Sequence, residues 1–436
     1  MSLSIQPSVQ ISKLQFKNIK SFNGKHETEL APLTLIFGPN SAGKSTLVQT
    51  ISLLSKWDDA SDSPFIGNSW NEFVVSVLKV AHQHHLEDEI MVGAVFGATE
   101  YRTEANLLEK VSVPETLFSV AIQKGGNASN DLVFDLAAQG AGGAMVEYKS
   151  IAQRRNNPNP GSKDIWVLYN TDQRPPEIET ASRVLRRIMM GLRVLGPFRG
   201  SPSDPYKMRW ESETPWDMPS GAQASELYDD SLNAWLQKLD IPYALTPVTF
   251  RDYDAQLGDE DAELAKSYKI VRDASREFDF LVPRDSDMHH WRLTDIRNNV
   301  QVELEDVGYG ISQIIPIVDA CVQEGIDKRL ITIEQPELHL HPRLQANLAE
   351  LFVDSVKRGN QLIVETHSEP ILIRLRRLIR EGAISPKDVA VLYVDNKDSN
   401  GARVERLELG EKGELLRPWP TGFFDDTLKD VLGGWN

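Results

Sequence analysis

The chain opens on loose alternation of apolar and polar positions, ISKLQFKNIKSF, the period of a strand with one buried face, and Asn23-Gly24 supplies a turn after it. Leu33 to Phe37 is an unbroken apolar run, as in a strand covered on both faces, and it leads into a glycine-rich loop. Beyond the loop Leu47, Ile51 and Leu54 return at helical spacing. From about Glu89 to Asn170 the runs IMVGAVF, LFSVAIQ, LVFDL, AMVEYKSI and IWVLY are parted by breaks containing Gly or Asn, which predicts an antiparallel meander. Residues 175–290 read as mainly helical, with a proline-rich irregular stretch from Pro197 to Pro219. After Leu304 the pattern returns to α/β: Leu330–Ile333 and Gln361–Val364 predict buried parallel strands, each followed by a helix.

The pattern therefore describes one α/β core opened and closed around a long insertion. Residues 1–174 carry its first half and an antiparallel β-lobe, 175–295 the mainly helical insertion, and 296–436 its second half. Composition agrees with a globular chain, at 41% hydrophobic and 25% charged residues. MSLSIQPSVQ lacks the basic and apolar regions of a leader, and no eighteen-residue apolar run occurs, so the expectation is a cytoplasmic protein outside the membrane. A single cysteine, Cys321, excludes an internal disulfide and any multi-Cys metal centre; Ile317, Val318 and Val322 beside it predict a buried thiol.

Charge narrows the partners. A net charge of −16 repels nucleic acid, so contact with DNA or RNA requires a local basic stripe. Two segments offer one, Arg183, Arg186, Arg187 and Arg193, and Arg374, Arg376, Arg377 and Arg380; each also reads as a solvated helix face.

The sharpest chemical signal follows the Leu33–Phe37 run. Gly38-Pro39-Asn40-Ser41-Ala42-Gly43-Lys44-Ser45, continued by Thr46, is a G-x-x-x-x-G-K-S phosphate loop between a strand and a helix. Its glycines let backbone N–H groups turn inward around phosphate oxygens, and the helix N-terminus adds a favourable dipole. Lys44 is placed to reach the β- and γ-phosphates of ATP and Ser45 to ligate Mg²⁺. Leu330-Ile331-Thr332-Ile333-Glu334 is a buried strand ending in an acid, the form of a Walker B segment, with Glu334 a second Mg²⁺ ligand. Gln335-Pro336-Glu337-Leu338-His339-Leu340-His341-Pro342 follows; alternate histidines without a nearby Cys are a poor metal site. Upstream, Asp306-Val307-Gly308-Tyr309-Gly310-Ile311-Ser312-Gln313 opens a helix, where Gly308, Gly310 and the Ser312 hydroxyl can face an anion or simply make a turn before a core helix. Downstream, Gln361 to Glu365 is a strand ending at Thr366-His367-Ser368.

In order and spelling these segments resemble the ATPase heads of the ABC, SMC and RecF group, and most closely the bacterial OLD-like branch, in which a PELHLHP run follows Walker B. The resemblance implies an α/β P-loop NTPase head of ABC/SMC type that closes as a homodimer or higher homo-oligomer around ATP and Mg²⁺. It makes the Gly308–Ser312 segment a signature-like loop, His367 the switch histidine near the γ-phosphate, and His339 and His341 part of a loop that touches the partner subunit in related dimers. Gln83, within Ala81-His82-Gln83-His84-His85, is a candidate Q-loop residue, whereas His289-His290 suggests no role. The usual base after the Mg²⁺ acid is Glu; here it is Gln335, which orients water without accepting its proton, so Glu337 or Glu365 must substitute or hydrolysis is slow. Leu195-Gly196-Pro197-Phe198-Arg199, Leu232-Asn233-Ala234-Trp235-Leu236 and Trp419-Pro420-Thr421-Gly422-Phe423-Phe424-Asp425 also look like the branch of this group that lacks a Toprim nuclease domain.

Members of that branch serve anti-phage systems such as Septu or PARIS, so the resemblance implies an ATPase that controls a partner nuclease. Two other readings stay open: a nucleotide-gated scaffold that scarcely hydrolyses, and a DNA-repair ATPase like RecF or the SMC heads. A self-contained nuclease is disfavoured, since only 69 residues follow His367 and Asp395 and Asp398 alone suggest an acidic motif.

Overall fold

The computed structural model describes residues 10–56, 76, 79–80, 88–104, 107–124, 132–139, 144–155, 165–169, 175–197, 223–248, 290–302, 307–322, 329–396 and 401–420. The predicted segments Ala81–His85, Phe198–Pro219, His289, Asp306, Asp398 and Thr421–Asp425 lie outside them. The chain forms two compact units: one of residues 1–197, 325–337 and 345–436, the other of residues 198–324 and 338–344.

The first unit holds two sheets. Strands β1 (Gln10–Ile19), β2 (Phe22–Glu29), β4 (Ile90–Glu104), β5 (Leu107–Lys124), β6 (Leu132–Gln139), β7 (Met145–Arg155) and β8 (Ile165–Tyr169) make a seven-stranded sheet in the order β2-β1-β4-β5-β6-β7-β8. Every neighbouring pair in it is antiparallel, and β4 to β8 run consecutively, as the predicted meander requires. One face is apolar: Phe16, Phe96, Phe118 and Phe134 are fully buried in a core shared with helix α1 (Lys44–Ser55) and helix α2 (Pro176–Met190). Helix α2 turns Ile178, Ala181, Leu185 and Ile188 inward at spacings of three and four, the stripe of an amphipathic helix. Burial of each such Leu or Ile contributes about 1.5–3 kcal/mol.

The second sheet leads into the phosphate-loop segment. Its order is β16-β15-β3-β14-β13-β9, from β3 (Leu33–Phe37), β9 (Arg193–Leu195), β13 (Leu330–Glu334), β14 (Gln361–Glu365), β15 (Val389–Asp395) and β16 (Arg403–Leu407). All neighbours are parallel except β15 and β16. Strands β3 and β14 are buried at every position, which explains their continuous apolar runs. Helices α5 (Pro342–Lys357) and α6 (Glu369–Arg380) follow β13 and β14. This sheet with the phosphate loop at the end of β3 is an α/β P-loop NTPase fold.

One turn is not where the pattern put it. Chain reversal occurs at Lys20-Ser21, between the paired residues Ile19 and Phe22, and Asn23-Gly24 lie inside β2. Phe22 is fully buried with its ring edge-on to Phe16, centroids 5.0 Å apart, so the chain must reverse before it. Lys20 accordingly takes a left-handed φ of 47°, held by its N–H to the Val80 carbonyl at 2.8 Å.

In the other unit, helices α3 (Gln223–Lys238) and α4 (Tyr309–Val322) accompany an antiparallel sheet of β10 (Tyr243–Val248), β11 (His290–Asp295) and β12 (Val300–Val302). The insertion, read as mainly helical, thus also contributes strands. Asn233 of α3 joins helix to sheet: its Nδ2 donates to the Leu245 carbonyl at 2.9 Å and its Oδ1 accepts from the Leu245 N–H at 2.8 Å. Cys321 is fully buried in α4, as predicted.

Candidate nucleotide site

Phe37 delivers the chain from the fully buried β3 directly into the phosphate loop. Gly38 has φ 150° and packs so closely on β15 that a Cβ there would sit 2.2 Å from the Val394 carbonyl oxygen. Ser41 (φ 61°) and Gly43 (φ 110°) are left-handed, the alternation that turns successive N–H groups to one side. Gly43 is also the N-cap of α1, and no side chain caps this helix. The first-turn N–H groups of α1 therefore lack the usual side-chain acceptor, which leaves them open to an anion.

Lys44 is buried, its Nζ donating to the carbonyls of Gly38 at 3.1 Å and Pro39 at 2.8 Å. Burial pushes its pKa down, while Glu365 and Glu337 pull it back up. A cavity of about 370 Å³ opens here, lined by Asn40, Ser41, Gly43, Lys44, Ser45 and Thr46 of the loop and by Gln335, Glu365 and His367 from the neighbouring strand ends. The phosphate loop, Gln335 and His367, distant in sequence, share one chamber. Pro39 and Ala42 belong to the loop backbone behind it, and the Ala42 N–H donates to the Pro39 carbonyl at 3.3 Å.

Two residues of this chamber carry no motif: Lys20 and Ser21, at the displaced β1–β2 turn. The Ser21 hydroxyl is buried without a hydrogen-bond partner, and a Cβ on Gly43 would lie 2.4 Å from it. The only available hint was that an alternating strand had to end near a Lys-Ser pair.

Strands β13 and β14 bring the acids. Glu334 ends β13 and is the registered partner of Glu365 at the end of β14. Gln335 follows in the left-handed region, φ 47°, its N–H bonded to the Glu365 carbonyl at 2.7 Å. Glu337 turns back onto the next loop: Oε1 accepts the His367 N–H at 2.6 Å and Oε2 the Thr366 hydroxyl at 2.8 Å. Both oxygens of the substitute base named first are therefore engaged in holding the His367 loop. Burial pushes the His367 pKa down, and the Lys44 charge adds to this. Ser368 closes the segment as N-cap of α6, accepting from the Ile371 N–H at 3.3 Å.

Oxygen donors at Ser45, Glu334 and Glu365 suit a hard cation such as Mg²⁺, which binds through one or two carboxylates together with phosphates. Glu365 is 3% exposed and its Oε2 is buried without a hydrogen-bond partner. Burial raises its pKa; the Ser45 hydroxyl as donor, then Lys44, lower it, and Glu337 raises it again. Residues and cation fit.

In the other unit Gly308 and Tyr309 begin α4. Ser312 is buried and its hydroxyl donates to the Tyr309 carbonyl at 2.8 Å. A Cβ on Gly310 would meet the His339 carbonyl oxygen at 2.5 Å, and the Tyr309 and His339 rings pack edge to face at 4.8 Å. His341 Nδ1 accepts from the Arg343 N–H at 3.3 Å. Among the described residues no group of three or more His, Cys, Asp or Glu is placed to hold a metal ion. The second basic stripe is engaged within its own unit: Arg374 with Asn347 and Glu350, Arg376 with the Gly413 carbonyl, Arg377 with Glu381, Arg380 with the Lys412 carbonyl. Among the described residues no helix is long and apolar enough to cross a membrane.

Several known proteins resemble parts or most of the chain. Residues 13–99 match an AAA domain, residues 226–374 a family described as "AAA domain, putative AbiEii toxin, Type IV TA system", and residues 384–432 a protein family of unknown function (DUF3696). An OLD nuclease of Thermus scotoductus is 24% identical over 427 residues, covering 93% of this chain and 69% of the relative. Two solved structures superpose loosely. An SMC head bound to the C-winged helix domain of ScpA gives a TM-score of 0.46 at 12% identity, over 92% of this chain and 98% of that one. The SMC head domain from Thermotoga maritima gives 0.40 at 10%, over 92% and 100%. In sequence the chain is thus similar to AAA domains over two segments and to an OLD nuclease over most of its length.

Proposed function

We propose that the chain binds Mg²⁺-ATP in this chamber and hydrolyses it, closing as a homodimer or higher homo-oligomer around the nucleotide and passing its state to a partner nuclease in defence against phage. The observation that carries the first step is the joint lining of one cavity by Lys44, Ser45, Gln335, Glu365 and His367. The open start of α1 takes the phosphates, Lys44 leaves the loop carbonyls for the β- and γ-phosphates, and Ser45 with Glu334 holds the cation. Gln335 orients the attacking water and His367 faces the γ-phosphate, its loop held by Glu337. Gly308 and Gly310 serve as the signature-like loop toward a second copy. The nuclease partner and the defence role rest on the resemblance to the OLD-like branch and on the OLD match; the cytoplasm is the compartment that goes with them.

Single-turnover hydrolysis of ATP with Mg²⁺ tests the reading, with Lys44→Ala as the blank. Product release by the parent chain, absent in the blank, is the expected result. ATP bound tightly and left intact favours the second reading, a nucleotide-gated scaffold, for which Gln335 speaks directly because an amide accepts no proton. On that reading Gln335→Glu raises turnover about tenfold or more, as an added general base does. A repair ATPase of RecF or SMC kind requires duplex DNA binding that weakens steeply with salt.

A further inference from the structure

Glu365 and Glu334 are registered neighbours at the ends of adjacent parallel strands. Their carboxylates therefore leave the same face of the sheet from backbones about 4.8 Å apart. Glu365 is the more enclosed: it lines the cavity, is 3% exposed, and its Oε2 is buried without a hydrogen-bond partner. Burying a carboxylate is costly unless charge or hydrogen bonds compensate it. The compensation in view is partial. The Ser45 hydroxyl donates to it and Lys44 attracts it, but Lys44 is tied to two loop carbonyls and Glu337 adds charge of the same sign. The wall that presents the Ser45 hydroxyl is thus short of positive charge.

We propose that Glu365 holds the divalent cation of the nucleotide site, joining the Ser45 hydroxyl and the Glu334 carboxylate in the protein's share of its oxygen shell. The assignment rests on the cavity being an ATP site. It gives Glu365 a use different from that of substitute base: a carboxylate bound to a cation does not collect a proton from water.

Mn²⁺ serves as the probe, titrated by electron paramagnetic resonance into the full chain with a saturating non-hydrolysable ATP analogue. Glu365→Gln is expected to weaken Mn²⁺ about tenfold or more, within the range for lost metal-supporting groups. Affinity for the analogue without cation should hold or rise, because a negative charge facing the triphosphate is gone. A Mn²⁺ affinity within twofold of the parent overturns the assignment, whatever happens to hydrolysis. Should Glu365→Gln not fold, Glu365→Asp, which keeps the charge but withdraws it by one methylene, is read by the same criterion. A parent chain that binds no analogue, or binds it equally with and without Mn²⁺, defeats the ATP reading and this inference with it. Intact, Mn²⁺-dependent analogue binding with an unmoved Mn²⁺ constant in the variant defeats the role of Glu365 alone.

Discussion

Strands β3 and β14 are parallel neighbours, buried throughout, and each passes through a short turn into a helix. Their exits differ. After β14 the turn is tied to its surroundings: Glu337 takes the His367 N–H and the Thr366 hydroxyl, Ser368 donates from Oγ to Gln345 at 2.8 Å, and the same Oγ caps α6. After β3 two left-handed residues, Ser41 and Gly43, lead into α1 with no side-chain cap. The same strand–turn–helix plan is closed on itself in one place and left open in the other. An open helix start beside buried charge accepts a ligand, and a closed one positions the residue that faces it.

Four substitutions break or sharpen that contrast. Lys44→Ala removes the cation from the open exit and should weaken ATP about a hundredfold in equilibrium binding, the scale of a lost phosphate clamp. Gly38→Ala drives a Cβ into the Val394 carbonyl and should cost about 2 kcal/mol, read as a lower denaturant midpoint and a weakened phosphate loop. Glu337→Ala removes the acceptor of both the His367 N–H and the Thr366 hydroxyl; hydrolysis should fall about tenfold with ATP affinity little changed, as for a lost positioning contact. Ser368→Ala uncaps α6 and should cost about 1 kcal/mol of stability. In that last variant nucleotide affinity should stay within twofold of the parent, because the cap belongs to the closed exit; a large loss of ATP binding would show that the two exits are not separable.

Much of this was readable from the amino-acid order. Contiguous motifs carry their own geometry: Gly38 to Ser45 needs only a strand before it and a helix after it, and the apolar runs at Leu33, Leu330 and Gln361 announced buried parallel strands because both faces had to be covered. The alternating runs from Glu89 to Asn170 likewise implied the meander. The insertion was only half legible, since β10 to β12 are short and Asn233, twelve positions from what it binds, is an ordinary polar residue in a helix until Leu245 is beside it.

What tertiary structure alone decided are the side-chain roles set by pairing between distant segments. Buried Phe22 moved the first turn to Lys20-Ser21 and so brought both to the cavity; local turn propensity favoured Asn23-Gly24, and core packing prevailed. Glu337, chemically able to be a base, became the tether of His367, while Glu365 became the enclosed acid opposite Lys44. Both are glutamates near a motif, and their spelling does not separate them. What separates them is strand register, which sets Glu365 beside Glu334, and the turn at Gln335, which carries Glu337 back to the neighbouring loop. Motif chemistry is local and travels with the sequence; charge burial and hydrogen-bond partnership depend on which strands lie side by side, and those exist only once the sheet has formed.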